Sequence, residues 1–263
     1  MANTAPYALI DSHCHLDLSA FAHDFNAVVA SAKSLGVTRF HIPGTTAKRW
    51  QPLTHLAARD DIDVSLGLHP YFLSEQPKSQ LERSLDELDT QLDKHLPGVV
   101  AVGECGLDTV IDVDLQLQET IFARQLDLAK QHRYPLVLHA RKSHHLIHQH
   151  LSAQRFAHGG VIHAFSGSVD VAKQYVDRNF VLGIGGTITY PRGYRTREAV
   201  KAVGLAHVVL ETDSPDMPIN GYQGQRNTPE RLPLVMHTLA ELFDIEPAEV
   251  ARVTSANYLR LFH

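Results

Sequence analysis

Asp11-Ser12-His13-Cys14-His15-Leu16-Asp17 sets two imidazoles two residues apart with carboxylates on either side. That pattern suits a divalent cation. With 18 histidines in 263 residues, about one His-x-His should arise by chance. His148-Gln149-His150 is indeed a second instance. The motif must therefore be judged by where it sits and by what other donors accompany it. The other candidates are His69 in GLHP, Glu104 in VGECGLD, His139 in VLHAR, His163 in VIHAFSG and Asp213 in LETDSP. Mixed imidazole and carboxylate donors suit Zn or Mn better than Mg alone. A pair of such ions about 3.5–4 Å apart lowers the pKa of a shared water and clamps the oxygens of a phosphoryl or acyl substrate.

The elements that must position these groups follow from a recurring pattern, a short apolar run followed by a segment with helical spacing. The runs are Tyr7–Asp11, Val37–Pro43, Asp63–His69, Val99–Gly103, Pro135–His139, Gly160–Phe165, Phe180–Ile184 and Val208–Glu211. Their near-continuous apolar character is that of parallel strands buried on both faces. Helices are expected over Phe25–Leu35, Gln118–Gln131, Val169–Arg178, Arg195–Val203, Pro229–Phe243 and Pro247–Leu261. Gly36 and Gly204 close two of them, and Pro247 opens the last. Eight strands alternating with helices over about 250 residues predict a single (β/α)₈ TIM barrel domain spanning residues 1–263. A doubly wound open sheet is the runner-up; its Rossmann form is disfavoured because no GxGxxG follows the first strand. Gly183-Ile184-Gly185-Gly186 reads as a tight strand-end turn.

In such barrels the catalytic groups gather at the carboxyl ends of the strands, and every candidate donor stands at or next to one. Alternation along an extended backbone turns His13 and His15 to one face and Cys14 to the other. Cys14 and Cys105 are thus expected to be silent packing residues. His13, His15, Glu104, His139, His163 and Asp213 come from five strand ends, too many for one tetrahedral ion and suited to two. Glu104 is best placed to bridge them. Asp213 can both bind a metal and take the proton from the attacking water. His144, His145, His148 and His150 lie in a helix-like or loop segment and are expected to be a decoy.

Arg141 follows His139 by two residues and falls on the same side, where a guanidinium can hold a phosphate in bidentate fashion. Arg192, Arg195 and Arg197, with Tyr190, extend an electropositive lip or form a solvated loop and helix start. His69 either donates to substrate or caps the turn at Pro70. Ser214–Asn227, rich in Gly, Pro and Asn, is a candidate lid or a plain surface connection. Tyr222 and Gln225 within it are candidates to touch a base or another ring.

Hydrophobic content of 44% and charged content of 20% are those of an ordinary soluble globular protein. The longest apolar runs fall short of the roughly 18–20 residues that span a bilayer. The N-terminal MANTAPYALIDSH lacks the basic segment and apolar core of a secretory signal. Two cysteines are too few for a disulfide framework. A reduced, cytoplasmic protein without membrane or obligate protein partner is expected. A net charge of −5 advertises no globally basic surface and weakens the case for a protein that coats a duplex, but does not exclude an enzyme that grips a few phosphates with local arginines.

HCHLD, GLHP, GECGLD, QLDLAKQ…PLVLHAR, HAFSGS, GGTITYPR and LETDSPDMP together resemble the TatD family of metal-dependent hydrolases, from Ile10 to Phe262. The stretch GGTITYPRGYRTRE…LETDSPDMPINGYQGQRNTPE is most similar to its YjjV-type branch. The resemblance implies a (β/α)₈ barrel, two divalent metal ions (Zn, Mn or Mg) and a hydrolase often described as a DNase. It implies His13, His15, Glu104 and Asp213 around one ion, and His139 and His163 with Glu104 shared around the other. One departure is Glu104-Cys105-Gly106-Leu107-Asp108-Thr109-Val110, where the family commonly has EIGLD followed by aromatics; this bears on the substrate wall more than on the metal. The expected activity is a metal-dependent phosphodiesterase of the deoxyribonuclease type, with nucleic acid, single-stranded DNA or its ends, as substrate. Acyl or amide hydrolysis, including an ester bond to RNA, would use the same activated water. A barrel that binds metal without catalysis is the non-enzymatic alternative.

Overall fold

The structure is a computed structural model that describes residues 7–263. The stretch read above for a secretory signal begins in residues 1–6, which lie outside the described residues. The strands are β1 (Leu9–Asp11), β2 (Val37–Pro43), β3 (Ile62–Leu66), β4 (Val99–Asp108), β5 (Leu136–Arg141), β6 (Gly160–Ile162), β7 (Phe180–Ile184) and β8 (Val208–Leu210). The helices are α1 (Phe25–Ser34), α2 (Ala47–Leu56), α3 (Lys78–Asp93), α4 (Leu115–His132), α5 (His144–Ala153), α6 (Val169–Val176), α7 (Tyr194–Val203), α8 (Leu232–Phe243) and α9 (Pro247–Phe262). The strands form one sheet in sequence order, β1 to β8. The pairs β1–β2, β3–β4, β4–β5, β5–β6 and β7–β8 are parallel. This order, with a helix after each strand, is that of a (β/α)₈ barrel.

Burial explains why the runs are strands. Every position of β3, β4, β6, β7 and β8 is buried, as expected for parallel strands covered on both faces. The lengths differ from the sequence expectation in a way that matters for the site. β4 runs five residues past Gly103 to Asp108, whereas β1, β6 and β8 have three residues each.

The chain packs as two compact units. One comprises the described residues up to Ile42 with His163–Leu261 and His263; the other is Pro43–Ile162 with Phe262. The first carries a core that includes Phe21, Phe40, Phe165, Tyr175, Phe180 and Tyr258, all buried. In it β1 pairs with β2, and just past β1 the Ser12 N–H donates to Leu210 O of β8 at 2.8 Å. In the second unit Trp50, buried, donates its indole N–H to Gly67 O at 3.2 Å. There α3 presents Leu81, Leu85, Leu88 and Leu92 as a buried stripe at helical spacing. Asp114 caps α4, its Oδ1 accepting the Leu117 N–H at 2.8 Å, which satisfies one donor of the first turn. Among the described residues no helix is long and apolar enough to cross a membrane.

Candidate metal centre

His13 and His15 lie beyond the end of β1, with the backbone bent at His13, so the β1 ladder is not what aligns them. Main-chain bonds on both flanks do so instead. The Cys14 N–H donates to His41 O at 3.0 Å, His15 N–H to Ser214 O at 2.7 Å, and Asp213 N–H to His13 O at 2.9 Å. The two imidazole Nε2 atoms come to 3.3 Å from each other, and each is 3.6 Å from Asp213 Oδ1. Ligands about 2.0–2.2 Å from a tetrahedral ion stand roughly 3.3–3.5 Å apart, so the three donors fit a cation without rearrangement. His13 is fully buried, while the side chains of His15 and Asp213 keep 12% and 14% exposure. Three protein donors with one accessible side is the arrangement of a catalytic rather than a structural site. Cys14 faces the other way, its thiol donating to His41 O at 3.6 Å, and burial raises its pKa well above the ordinary thiol value.

Asp11 holds this loop from beneath. Its Oδ1 accepts the N–H groups of Thr212 at 3.0 Å and His13 at 3.3 Å, and its Oδ2 the Thr212 hydroxyl at 2.6 Å. Burial pushes the Asp11 carboxyl up to about 8, against the lowering effect of these bonds. Asn227, also buried, donates to Thr212 O at 2.8 Å. Asp213 itself takes a φ of 55°, a left-handed conformation that Asp tolerates better than most residues.

His163 follows β6 directly and stacks on His13, with ring centroids 3.9 Å apart and planes 15° from parallel. Glu211 Oε1 accepts the Ala164 N–H at 2.6 Å and lies 3.5 Å from His163 Nδ1. Donor atoms of His13, His163 and Glu211 all fall within 4.8 Å of one another.

The second unit has a donor group of its own. Glu104 Oε1 is 3.2 Å from both His69 Nε2 and His139 Nδ1. His69 Nδ1 accepts the Tyr71 N–H at 3.1 Å, so neutral His69 carries its proton on Nε2 and donates it to Glu104. His69 thus caps the Pro70 turn and orients Glu104 at the same time. His139 Nε2 meets Asp108 Oδ2 at 3.1 Å. Burial works to raise the Asp108 pKa, but the bonds from His139 and Val110 and the charges of His139 and Arg141 outweigh it and hold the carboxyl low. Two glutamines of α4 fix the strand ends. Gln118 exchanges bonds of 2.9 and 3.0 Å with the Asp108 main chain, and Gln125 bonds of 2.7 and 3.1 Å with that of Leu68. Cys105 points away, its thiol toward Val137 O at 3.8 Å, and burial raises its pKa.

The structure thus brings His13, His15 and Asp213 together, sets His163 against His13, and groups Glu104 with His139 and His69. Arg141 is exposed at the end of β5, where its charge acts on Asp108. Arg192 is exposed and lies over the Tyr190 ring at 4.7 Å. Arg197 is committed to the carbonyls of Ile188, Tyr190 and Pro191. Residues 214–227 form no helix or strand but are pinned. Asn220 N–H donates to Thr189 Oγ1 at 2.9 Å, Arg226 pairs with Asp24, and Arg231 covers the Tyr222 ring. His144, His145, His148 and His150 all lie in α5, with His148 buried. None of the four belongs to a group of three or more donors among the described residues. Asp11, Asp108, Glu211, Gln118 and Gln125 were not singled out by sequence. The three carboxylates lie two or four residues from His13, Asp213 and Glu104, a proximity that marks them as neighbours of donors without naming their partners.

A (β/α)₈ fold with imidazole and carboxylate donors at its strand ends defines a metal-dependent hydrolase. The chain matches the family described as TatD related DNase over residues 10–263; it belongs to that family. It is 38% identical over 256 residues to the Escherichia coli K12 protein named Uncharacterized metal-dependent hydrolase YjjV, covering 97% of each chain. A Haemophilus influenzae protein, also named an uncharacterized metal-dependent hydrolase, is 36% identical over 266 residues, covering 96% of this chain and 98% of the relative. The crystal structure of the Escherichia coli YjjV protein is similar with a TM-score of 0.91 over 97% of both chains.

Proposed function

We propose that this hydrolase is a deoxyribonuclease, a phosphodiesterase that acts on single-stranded DNA or DNA ends with the help of two divalent ions, Zn or Mn before Mg. The observation that carries the two-ion reading is the stacked pair His13 and His163, 3.9 Å apart and 15° from parallel. In-plane lone pairs of parallel rings run side by side and do not converge on one ion. Each ring would serve its own ion, as two-metal hydrolases require. His13, His15 and Asp213 would hold one ion, and His163 would belong to the other. Glu104 and His139 supply further imidazole and carboxylate donors, and His69 donates to Glu104 rather than to metal.

When bound, divalent ions lower the pKa of a water toward neutrality and draw in the negative oxygens of a phosphodiester. The protein does the rest. The partly exposed Asp213 carboxylate accepts the proton of the attacking water. Asp108 orients the His139 ring, and the exposed Arg141 guanidinium beside it offers paired donors to a phosphate. Support for DNA as substrate comes from the family's description as TatD related DNase.

The test is one panel with the protein loaded with Mn or Zn: labelled single-stranded DNA, a phosphomonoester, carboxylic esters and amides. Cleavage of DNA that disappears in Glu104→Ala is the expected result. Ester or amide hydrolysis with the DNA left intact would overturn the nuclease reading.

A further inference from the structure

Behind His163 sits a carboxylate that the chemistry above does not use. Glu211 is 1% exposed, and a carboxylate that deep is costly unless it has work to do. Its Oε1 is held by the Ala164 N–H at 2.6 Å and faces His163 Nδ1 at 3.5 Å. Ala164 takes a φ of 45°, a region that alanine rarely adopts, so the residue after His163 keeps a strained turn that presents its N–H to Glu211. Room for the carboxylate comes from β7. A Cβ on Gly183 would stand 2.1 Å from Glu211 Oε2 and 3.1 Å from the His163 Cα. The glycine of an otherwise apolar strand is therefore the space that Glu211 fills, rather than part of a turn.

We propose that Glu211 is the positioning residue of His163. It accepts the Nδ1 proton, fixes the tautomer and the ring plane, and leaves Nε2 to the divalent ion, with Gly183 admitting the carboxylate. The inference rests on the reading that His163 ligates an ion. Histidine ligands commonly have such a carboxylate on their far nitrogen, and its removal typically weakens metal binding about 10–100-fold. An ion on Nε2 lies on the opposite edge of the ring from Glu211, which separates this role from direct ligation.

The experiment is a Zn(II) titration of the metal-free protein by calorimetry, paired with ¹⁵N spectra of the histidine-labelled, metal-free protein that read the His163 tautomer. His163→Ala is expected to lose one equivalent of metal. Glu211→Ala and Gly183→Ala keep the wild-type stoichiometry, bind that equivalent about 10–100-fold more weakly, and lose the Nδ1-protonated signature of His163. Glu211→Gln, which retains an acceptor without the charge, falls between them. Should Glu211→Ala not fold, Gly183→Ala carries the same test with the carboxylate still present. Wild-type affinity and tautomer in these variants would overturn the proposal, as would loss of a full equivalent in Glu211→Ala, which would make Glu211 a ligand. Unchanged stoichiometry in His163→Ala would overturn it together with the two-ion reading. A failure to cleave DNA with these titrations as expected would remove only the nuclease reading.

Discussion

Glu104 and His139 stand within paired strands, Glu104 in a bulge of β4 between Val102 and Cys105, whereas His13, His15, His163 and Asp213 stand on backbone that has already left the ladder. β4 is buried at all ten positions and, after the bulge, pairs residue by residue with β5 from Cys105 opposite Leu138 out to Asp108 opposite Arg141. β1, β6 and β8 stop after three residues, and the donors beyond them are held by buried side chains. Asp11 ties Thr212 to His13, Asn227 holds Thr212 O, and Glu211 holds Ala164. A ladder fixes a side chain through many shared bonds, so losing one matters little. The segment after β1 has a smaller reserve, a few main-chain bonds beside the Asp11 carboxylate, and removing that acceptor strands donors it served.

The largest effect is expected where a donor itself is removed, in either group. Glu104→Ala and His13→Ala should each lower hydrolysis on the order of 10³-fold or more, the scale of losing several kcal/mol of charge stabilisation. Metal analysis of the purified variants should show reduced content in both. Full activity in either variant would take that residue out of the centre.

The next effect divides the two groups. Asp11→Ala leaves the Thr212 N–H and the His13 N–H without their acceptor and the Thr212 hydroxyl with Ser214 Oγ alone. It should cost at least about 2 kcal/mol of stability and weaken metal binding toward the 100-fold end of the range for groups behind a ligand. Asp108→Ala also removes the partner of a proposed ligand, but His139 keeps its place in the ladder opposite Gly106 and Glu104 its main-chain bond to Gly44 O. Its loss in metal affinity should be about 10-fold or less. Calorimetric titration and thermal melts of both variants check this, and equal losses would break the comparison.

His148→Ala sits lower still. Truncating a buried helix residue should cost about 1–3 kcal/mol, read as a lower melting temperature, while activity per folded molecule stays at the wild-type level. A fall in activity alone would mean that the second His-x-His contributes to catalysis.

What was legible in the sequence follows the same division. The eight strands could be read because parallel strands buried on both faces are written as unbroken apolar runs. The donors could be read because each follows such a run. Alternation put His13 beside His15 and turned Cys14 away, as the structure has them, but it did not show that the strand ends at Asp11 and that main-chain bonds to β2 and the loop after β8 hold the segment. Asp11 and Thr212, or Glu211 and Ala164, are 201 and 47 residues apart, and no local pattern announces such partners. Among the helices, α3 was readable from Leu81, Leu85, Leu88 and Leu92 and was passed over. α2, with Pro52 inside it and only Trp50 and Leu53 buried, has no stripe to read.

The smallest effect tests the comparison without touching a donor. Cys14 lies in the loop group and Cys105 in β4, and both are fully buried with thiol pKa values raised by burial. Neither should react quickly with a thiol reagent in the native state. Labelling then proceeds through local opening, whose free energy is lowest where few bonds must break. Opening the segment after β1 breaks the bonds around Asp11 and the main-chain links of Cys14 and His15, whereas exposing Cys105 requires parting β4 from its neighbours. Cys14 should therefore label faster than Cys105, as read by mass spectrometry over a time course. On the proposed ligation, Zn(II) bound by His13 and His15 together should slow Cys14 further by mass action. Equal rates would show that the loop is as firmly held as the ladder. A Cys14 rate indifferent to zinc would mean that the ion does not close the two histidines around it.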